Sequence, residues 1–263
     1  MTNYKILFLD IDGTLLRPDD TIEDSSKKAI AEVKKKGIEV FLATGRPLHE
    51  ISHIAEELNI ESFIGYNGAY AIHKGEDIFR APMLSSTVEK YVDIAKNNEH
   101  ELVLYTHEEN IFSDLESPIV KEFISAFHLH KNNSYSLDVI DKILGITLIN
   151  LSENEPALYE KEDPSIHLSQ VNVDGLRHCY DVIRDNVNKG IAVQHILELL
   201  SLPTEAAIAF GDGMNDKEML ELVGEGFAMG NGHPDLFQYA KYKTTKVTNS
   251  GIYNGLKSLG LVD

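Results

Sequence analysis

The stretch from Tyr4 to Leu9 is apolar apart from Lys5 and stops abruptly at Asp10-Ile11-Asp12-Gly13. A continuous run of this kind predicts a buried parallel strand whose C-terminal end carries polar chemistry. From Ser25 to Lys36 the spacing becomes helical, with Ala29, Ile30 and Val33 inward, lysines outward and Gly37 as the stop. Ile38 to Ala43 is a second apolar strand, running into Thr44-Gly45-Arg46-Pro47. Pro47 suits the first turn of a helix that the pattern carries to about Leu58. Phe63-Ile64 is a third short strand, followed by an Asn67-Gly68 turn. Strands and helices alternating in this order predict an α/β domain with a doubly wound parallel sheet.

The middle of the chain reads differently. Between Met83 and Asp185 the pattern gives helices over Ser85 to Asn97 and Pro118 to Phe127, and strands over Leu102 to Tyr105 and Lys142 to Ile149. A further helical segment near Glu153 precedes strands around Ile166 and Tyr180. These strands lack the Asp- and Gly-rich tips seen earlier. From Lys189 the first pattern returns: a helix to Leu200, then Ala206 to Phe210 ending in Gly211-Asp212-Gly213, a short strand at Phe227 to Met229 and a closing helix from Ile252 to Leu259. The expected organisation is one α/β core built from residues 1–82 and 186–263, with an α+β domain, residues 83–185, inserted into it.

Composition narrows the class. Hydrophobic residues make up 43% and charged residues 25% of the 263 positions, the mix of a globular chain rather than a disordered, collagen-like or repeat-dominated one. No apolar run approaches the ~20 residues that span a bilayer, and two aspartates interrupt the N-terminus where a signal peptide needs its apolar stretch. The single cysteine, Cys179, forbids an intrachain disulfide and fits a reducing compartment, so a cytoplasmic protein is expected. The sequons at Asn132 and Asn150 carry little weight there. Against 42 acidic residues stand 24 Lys and Arg, a net charge of −18. Such a chain lacks the cationic footprint of a nucleic-acid binder. A phosphorylated ligand would need positive charge concentrated locally, by a metal ion and a few placed basic residues.

In doubly wound sheets ligands bind at the C-terminal strand ends. Asp10 and Asp12, Thr44, and Asp212 with Asp216 all follow apolar strand-like runs, so all can meet in one crevice. Four carboxylates there repel one another, which a divalent oxygen-seeking cation relieves. Mg²⁺ suits such a site because it takes one or two carboxylates and leaves positions for a phosphate. An EF-hand fits poorly: with Asp10 as position 1, Leu15 stands where Gly belongs and Thr21 where Glu belongs.

Phe8-Leu9-Asp10-Ile11-Asp12-Gly13-Thr14-Leu15, Thr44-Gly45-Arg46, Lys189-Gly190 and Gly211-Asp212-Gly213-Met214-Asn215-Asp216 resemble, in order, the four motifs of the haloacid dehalogenase-like hydrolases. The insertion resembles their C2 type of cap, and the chain as a whole resembles the Cof-type sugar phosphatases. The resemblance implies a Rossmann-like core and a magnesium-dependent phosphatase acting on a small phosphorylated metabolite, a sugar phosphate foremost. It implies Asp10 as the nucleophile that forms an aspartyl-phosphate, and Asp12 as the acid that protonates the leaving oxygen and then the base that activates water. Mg²⁺ would be held by the Asp10 carboxylate, the Asp12 main-chain carbonyl and Asp212, with Asp216 in or beside that shell. Thr44, the Gly45 amide, Lys189 and Asn215 would bind the phosphoryl group. Arg46 would either touch substrate or fix the loop through a salt bridge.

Competing signals are weaker. His49-Glu50-Ile51-Ser52-His53 matches the H-E-x-x-H pattern of zinc proteases, but no third ligand follows at the expected spacing. Gly224-x-Gly226 lacks the third glycine of a dinucleotide loop, position 229 being Met. His128 and His130 read as surface or packing residues. A phosphosugar mutase would need an Arg cluster in the inserted domain for a second phosphate, and only Arg80, Arg177 and Arg184 lie in or beside it. A non-catalytic sugar-phosphate sensor would be favoured by a missing catalytic group, and none is missing. Oligomeric state is not legible in the sequence.

Overall fold

The computed structural model describes residues 4–263 apart from 172 and 174. The chain divides into two compact units. One comprises residues up to Arg46, Ser52–Phe79 and Asn188–Asp263; the other comprises Pro47–Ile51 and Arg80–Val187.

Along the chain the first unit begins with β1 (Ile6–Leu9), α1 (Asp24–Lys35), β2 (Glu39–Ala43), α2 (Ser52–Leu58), β3 (Phe63–Gly65), β4 (Tyr70–His73) and β5 (Glu76–Arg80). The second unit follows with α3 (Ser85–Asn97), β6 (Glu101–Tyr105), β7 (Asn110–Phe112), α4 (Pro118–Phe127), β8 (Asn132–Ser134), β9 (Gly145–Ile149), α5 (Pro156–Glu160), β10 (Ile166–Gln170) and β11 (Tyr180–Arg184). The chain then returns to the first unit with α6 (Lys189–Leu199), β12 (Ala207–Gly211), α7 (Lys217–Leu222), β13 (Glu225–Ala228), β14 (Tyr242–Lys243) and α8 (Gly251–Ser258).

The first unit is built on an eight-stranded sheet of order β14-β13-β12-β1-β2-β3-β4-β5. The strands from β14 to β3 run parallel, and β4 adds antiparallel to β3. Parallel strands are covered on both faces, which is why β1 and β12 are apolar at every position and buried throughout. Ile6 and Phe8 share one core with Ala192, Val193 and Ile196 of α6, while Leu7 and Leu9 alternate to the other face. Full burial of each such side chain contributes about 1.5–3 kcal/mol relative to exposure. Helix α1 buries Ala29, Ile30 and Val33 and ends at Gly37, whose φ of +78° only glycine adopts without strain. This doubly wound parallel sheet is the α/β core that the pattern predicts.

The second unit has a six-stranded sheet of order β10-β11-β9-β6-β7-β8, antiparallel except for the β7–β8 pair. Its strands alternate: Leu102, Leu104, Ile146 and Leu148 pack with Val88 and Tyr91 of α3, whereas Val103, Phe112 and Ile149 pack with Val120 and Phe123 of α4. No helix among the described residues is long and apolar enough to cross a membrane.

Two local expectations need correction. The helix expected from Pro47 to about Leu58 is split into a 3-10 turn, Leu48–Glu50, and α2, with Ile51 at φ −106°, ψ 9° between them. The turn is held by Asn110, whose Nδ2 donates to Glu50 Oε1 (2.7 Å) and whose Oδ1 lies 2.9 Å from His49 Nε2. His49 and His53 therefore do not share one helix face, and His49 is spent on Asn110, so the H-E-x-x-H match is not a zinc helix. The second correction concerns elements that the pattern does not give: the β4–β5 hairpin, β7, β8, α7 and β14.

Candidate active site

Four loops of the first unit supply the site. The first follows β1. Asp10 is almost fully buried, and its amide donates to the Phe210 carbonyl (3.0 Å), which ties the end of β1 to the end of β12. Gly13 sits at φ +79°, and a Cβ there would lie 2.2 Å from Asp212 Oδ2. Only glycine lets the two acidic loops approach this closely.

The centre is a buried ion cluster. Lys189 opens α6, is wholly buried, and donates through Nζ to Asp10 Oδ1 and to Asp216 Oδ1, both at 2.6 Å. Asp216 Oδ2 accepts the amides of Asp212 and Gly213, each at 3.0 Å. Asp212 accepts the Thr14 hydroxyl at 3.2 Å and, more loosely, the Asn231 amide at 3.4 Å. Asn231 also donates to the Gly13 carbonyl (2.7 Å) and accepts the Val247 amide (2.7 Å). Burial, and then the facing Asp216 carboxylate, push the Asp10 carboxyl well above its ordinary range, against the pull of Lys189. The same two causes raise Asp212 to about 6. Burial alone would lower Lys189, but Asp10 and then Asp216 outweigh it and hold the ammonium above its usual value.

One ammonium thus faces three carboxylates, and the cluster is left short of positive charge. Asp10, Asp212 and Asp216 each offer a carboxylate oxygen, all within 4.8 Å of one another. An all-oxygen donor set with net negative charge fits a hard divalent cation. The three are not equivalent. Both oxygens of Asp216 are already engaged, by Lys189 and by two amides, whereas Asp212 is held more loosely, by Thr14 at 3.2 Å and Asn231 at 3.4 Å. The Asp12 carboxylate lies outside this cluster: Arg46 grips it bidentately, Nε to Oδ2 at 2.8 Å and Nη2 to Oδ1 at 2.5 Å. Of the two uses open to Arg46, the loop-fixing salt bridge is the one observed here.

The remaining expected residues lie in two neighbouring loops. Thr44 is fully buried at the end of β2, with its amide on the Ile64 carbonyl (2.8 Å) and its Oγ1 accepting the Arg46 amide (3.0 Å). Asn215 donates to Asn67 Oδ1 at 2.9 Å, and a Cβ on Gly45 would come within 3.0 Å of that same oxygen. Sequence reasoning left Asn67 out because Asn-Gly signals a turn wherever it occurs, and it did not single out Thr14 as a partner of Asp212. Asn231 had no signal beyond a Gly-Asn-Gly loop after an apolar strand.

Similarity to known proteins agrees with the fold and the motifs. The family model for haloacid dehalogenase-like hydrolases matches residues 7–256. The putative phosphatase YkrA of Bacillus subtilis (strain 168) is 30% identical over 260 residues, covering 98% of each chain. The 5-amino-6-(5-phospho-D-ribitylamino)uracil phosphatase YitU of the same organism is 28% identical over 278 residues, covering 97% of each. The crystal structure of a hypothetical protein from Geobacillus kaustophilus HTA426 superposes with a TM-score of 0.90 at 30% identity, covering 98% of this chain and all of the other. The chain belongs to the haloacid dehalogenase-like hydrolases, in their Cof-type group, and is an enzyme of the phosphoric monoester hydrolase class.

Proposed function

We propose that this enzyme hydrolyses small phosphomonoesters, sugar phosphates foremost, through an aspartyl-phosphate on Asp10 with Mg²⁺ as its metal. The observation that carries this reading is the buried Lys189 bridging Asp10 and Asp216 at 2.6 Å each. A carboxylate kept beside a fixed ammonium is a nucleophile that an anionic phosphoryl group can approach.

In the first half-reaction an Asp10 carboxylate oxygen attacks phosphorus, the ester P–O bond breaks, and Asp12 gives its proton to the departing oxygen. In the second, a water attacks the phosphoryl group on Asp10 while Asp12 takes the water's proton. Inorganic phosphate leaves and the Asp10 carboxylate is restored. The Thr44 hydroxyl, the Gly45 amide, Lys189 and one amide hydrogen of Asn215 bind the non-bridging oxygens. Asp10 and Asp212, with the Asp12 main-chain carbonyl, would hold the cation, while Asp216 fixes Lys189 beside it. When bound, Mg²⁺ supplies charge neutralisation for phosphate and carboxylates together.

Arg46 acts on the acid rather than on phosphate, holding Asp12 between turnovers. Arg46→Ala is expected to lower kcat roughly tenfold or more on an alkyl phosphate and less on an activated aryl phosphate. Equal losses on both ester types would remove Arg46 from this role.

All of the proposed chemistry lies in residues 1–82 and 186–263. That leaves residues 83–185 to act as the cap that selects the leaving group. Support for a small phosphorylated substrate comes from YitU, which is named for such an ester. The lone cysteine, Cys179, is buried and unpaired by any disulfide, in keeping with a cytoplasmic setting.

The test is phosphate release from a panel of sugar phosphates, nucleotides and cofactor phosphates, with Mg²⁺ and after chelation. Release from at least one sugar phosphate, abolished by chelator and restored by Mg²⁺, is expected. Release that survives chelation, or none from any member of the panel, overturns the proposal.

A further inference from the structure

Residues 66–68 run consecutively through positive φ, which is uncommon for a non-glycine residue and above all for a bulky one such as Tyr66. Tyr66 and Asn67 both have φ near +53°, and Gly68 has φ +106°. Such a run persists only where its surroundings over-determine it, and it is a pointer to function. Here the surroundings are the site loops. The Tyr66 amide donates to the Arg46 carbonyl (3.3 Å) and the Asn67 amide to the Thr44 carbonyl (3.1 Å). On the other side, a Cβ on Gly68 would lie 2.3 Å from the Asn188 carbonyl, directly before Lys189. The turn is thus wedged between the Thr44–Arg46 loop and the start of α6. Its Asn67 side chain passes over Gly45 and accepts the Asn215 amide at 2.9 Å.

We propose that Asn67 is a positioning residue for phosphoryl binding, its Oδ1 holding one N–H of the Asn215 carboxamide so that the other keeps a fixed aim at a phosphoryl oxygen. This rests on the reading of Asn215 as a phosphate donor. A carboxamide has two N–H donors on one nitrogen, and anchoring one of them fixes the direction of the other. Gly45 leaves the space in which Asn67 does this, so that position serves Asn67 as well as offering its own amide. The Asn67 side-chain nitrogen, Nδ2, has no hydrogen-bond partner among the described residues. It adds donors, and no negative charge, to the surroundings of Asn215.

The test compares Asn67→Gly, Asn67→Asp and Asn215→Ala, alone and combined, in the full chain with Mg²⁺. Calorimetry gives the dissociation constant of inorganic phosphate, and p-nitrophenyl phosphate hydrolysis gives KM and kcat. Glycine accepts the +53° backbone, so Asn67→Gly keeps the fold, which a cooperative melt checks. It is expected to raise the phosphate dissociation constant and KM roughly tenfold, because the Asn215 donor loses its fixed aim at the charged phosphoryl group, with a smaller change in kcat. Asn67→Asp keeps the size and an acceptor for Asn215, so a merely structural role would make it the milder change. The proposal expects the reverse for phosphate affinity, because a carboxylate then stands beside the phosphate donors. In the Asn215→Ala background, Asn67→Gly should change affinity by no more than about twofold. Wild-type phosphate affinity in Asn67→Gly, or fully independent effects of the two sites, overturns the proposal. If Asn215→Ala weakens phosphate binding and Asn67→Gly does not, only the role of Asn67 falls. If Asn215→Ala leaves phosphate affinity unchanged, the reading of Asn215 falls and the proposal with it.

Discussion

Asp10→Asn is expected to cut turnover by roughly 10⁴-fold or more, the scale seen when a covalent nucleophile is removed, while leaving a folded protein. An amide oxygen does not attack phosphorus, so no covalent intermediate forms. The fold survives for an electrostatic reason. Burial and the facing Asp216 hold the Asp10 carboxyl well above its ordinary range, which means that its charged form is disfavoured where it sits. Asn replaces that charge with a neutral group of the same size, and its oxygen still accepts from Lys189. Without bound cation the variant should therefore melt at or above the wild-type temperature, with activity gone. Phosphate release by a purified Asp10→Asn protein at wild-type rate, with deamidation excluded by mass spectrometry, would sink the nucleophile assignment. A large drop in melting temperature would contradict the electrostatic account.

The parts of the fold that were legible in the sequence are those where burial dictates composition. β1, β2 and β12 are apolar at nearly every position because neighbours cover both faces, and each ends in polar residues because the chain there leaves the core. β7 is buried throughout but only three residues long, too short to show a pattern, and the other missed elements lack that imprint. β8 is Asn132-Asn133-Ser134, a polar segment that is a strand only because β7 pairs with it. The β4–β5 hairpin has its Lys74-Gly75 turn but carries half-buried and exposed residues through most of β5, so no period of two emerges. α7 has only six residues, too few for a helical period to declare itself.

The candidate site divides along similar lines. Asp10, Thr44, Lys189, Asp212 and Asp216 could be picked out because each stands at a strand or helix end in a recognisable order. Their partners could not. Arg46 and Asp12 are 34 positions apart, Asn215 and Asn67 are 148 apart, and nothing local says that a given Arg will meet a given Asp. The H-E-x-x-H match failed for the complementary reason: its spacing is helical, but the hydrogen bonds of Asn110 to His49 and Glu50 hold a tight turn where a helix was expected.

Lys189→Met tests the centre of the site through stability as well as activity. Lys189 is fully buried, and its two ion pairs end on carboxylates that are themselves almost wholly buried. Removing one partner of such a cluster leaves uncompensated buried charge and costs about 3–5 kcal/mol, readable as a shift in the denaturant midpoint with chelator present. The cost must depend on pH, and its sign is fixed. The Asp10 and Asp212 carboxyls have folded-state values above their unfolded ones, Asp212 at about 6. A group of that kind favours the folded state while protonated, and that contribution is lost as pH rises through the folded value. Without the Lys189 ammonium both values rise further. The variant should therefore approach wild-type stability near pH 5, where the carboxyls can take up protons, and fall furthest below it at pH 8. Turnover should be lost at both, because the fixed positive charge for the phosphoryl group is gone at any pH. A Lys189→Met protein with wild-type stability and the wild-type slope between pH 5 and 8 would show that the ammonium does not neutralise the cluster, and the electrostatic basis of the proposed mechanism would fall with it.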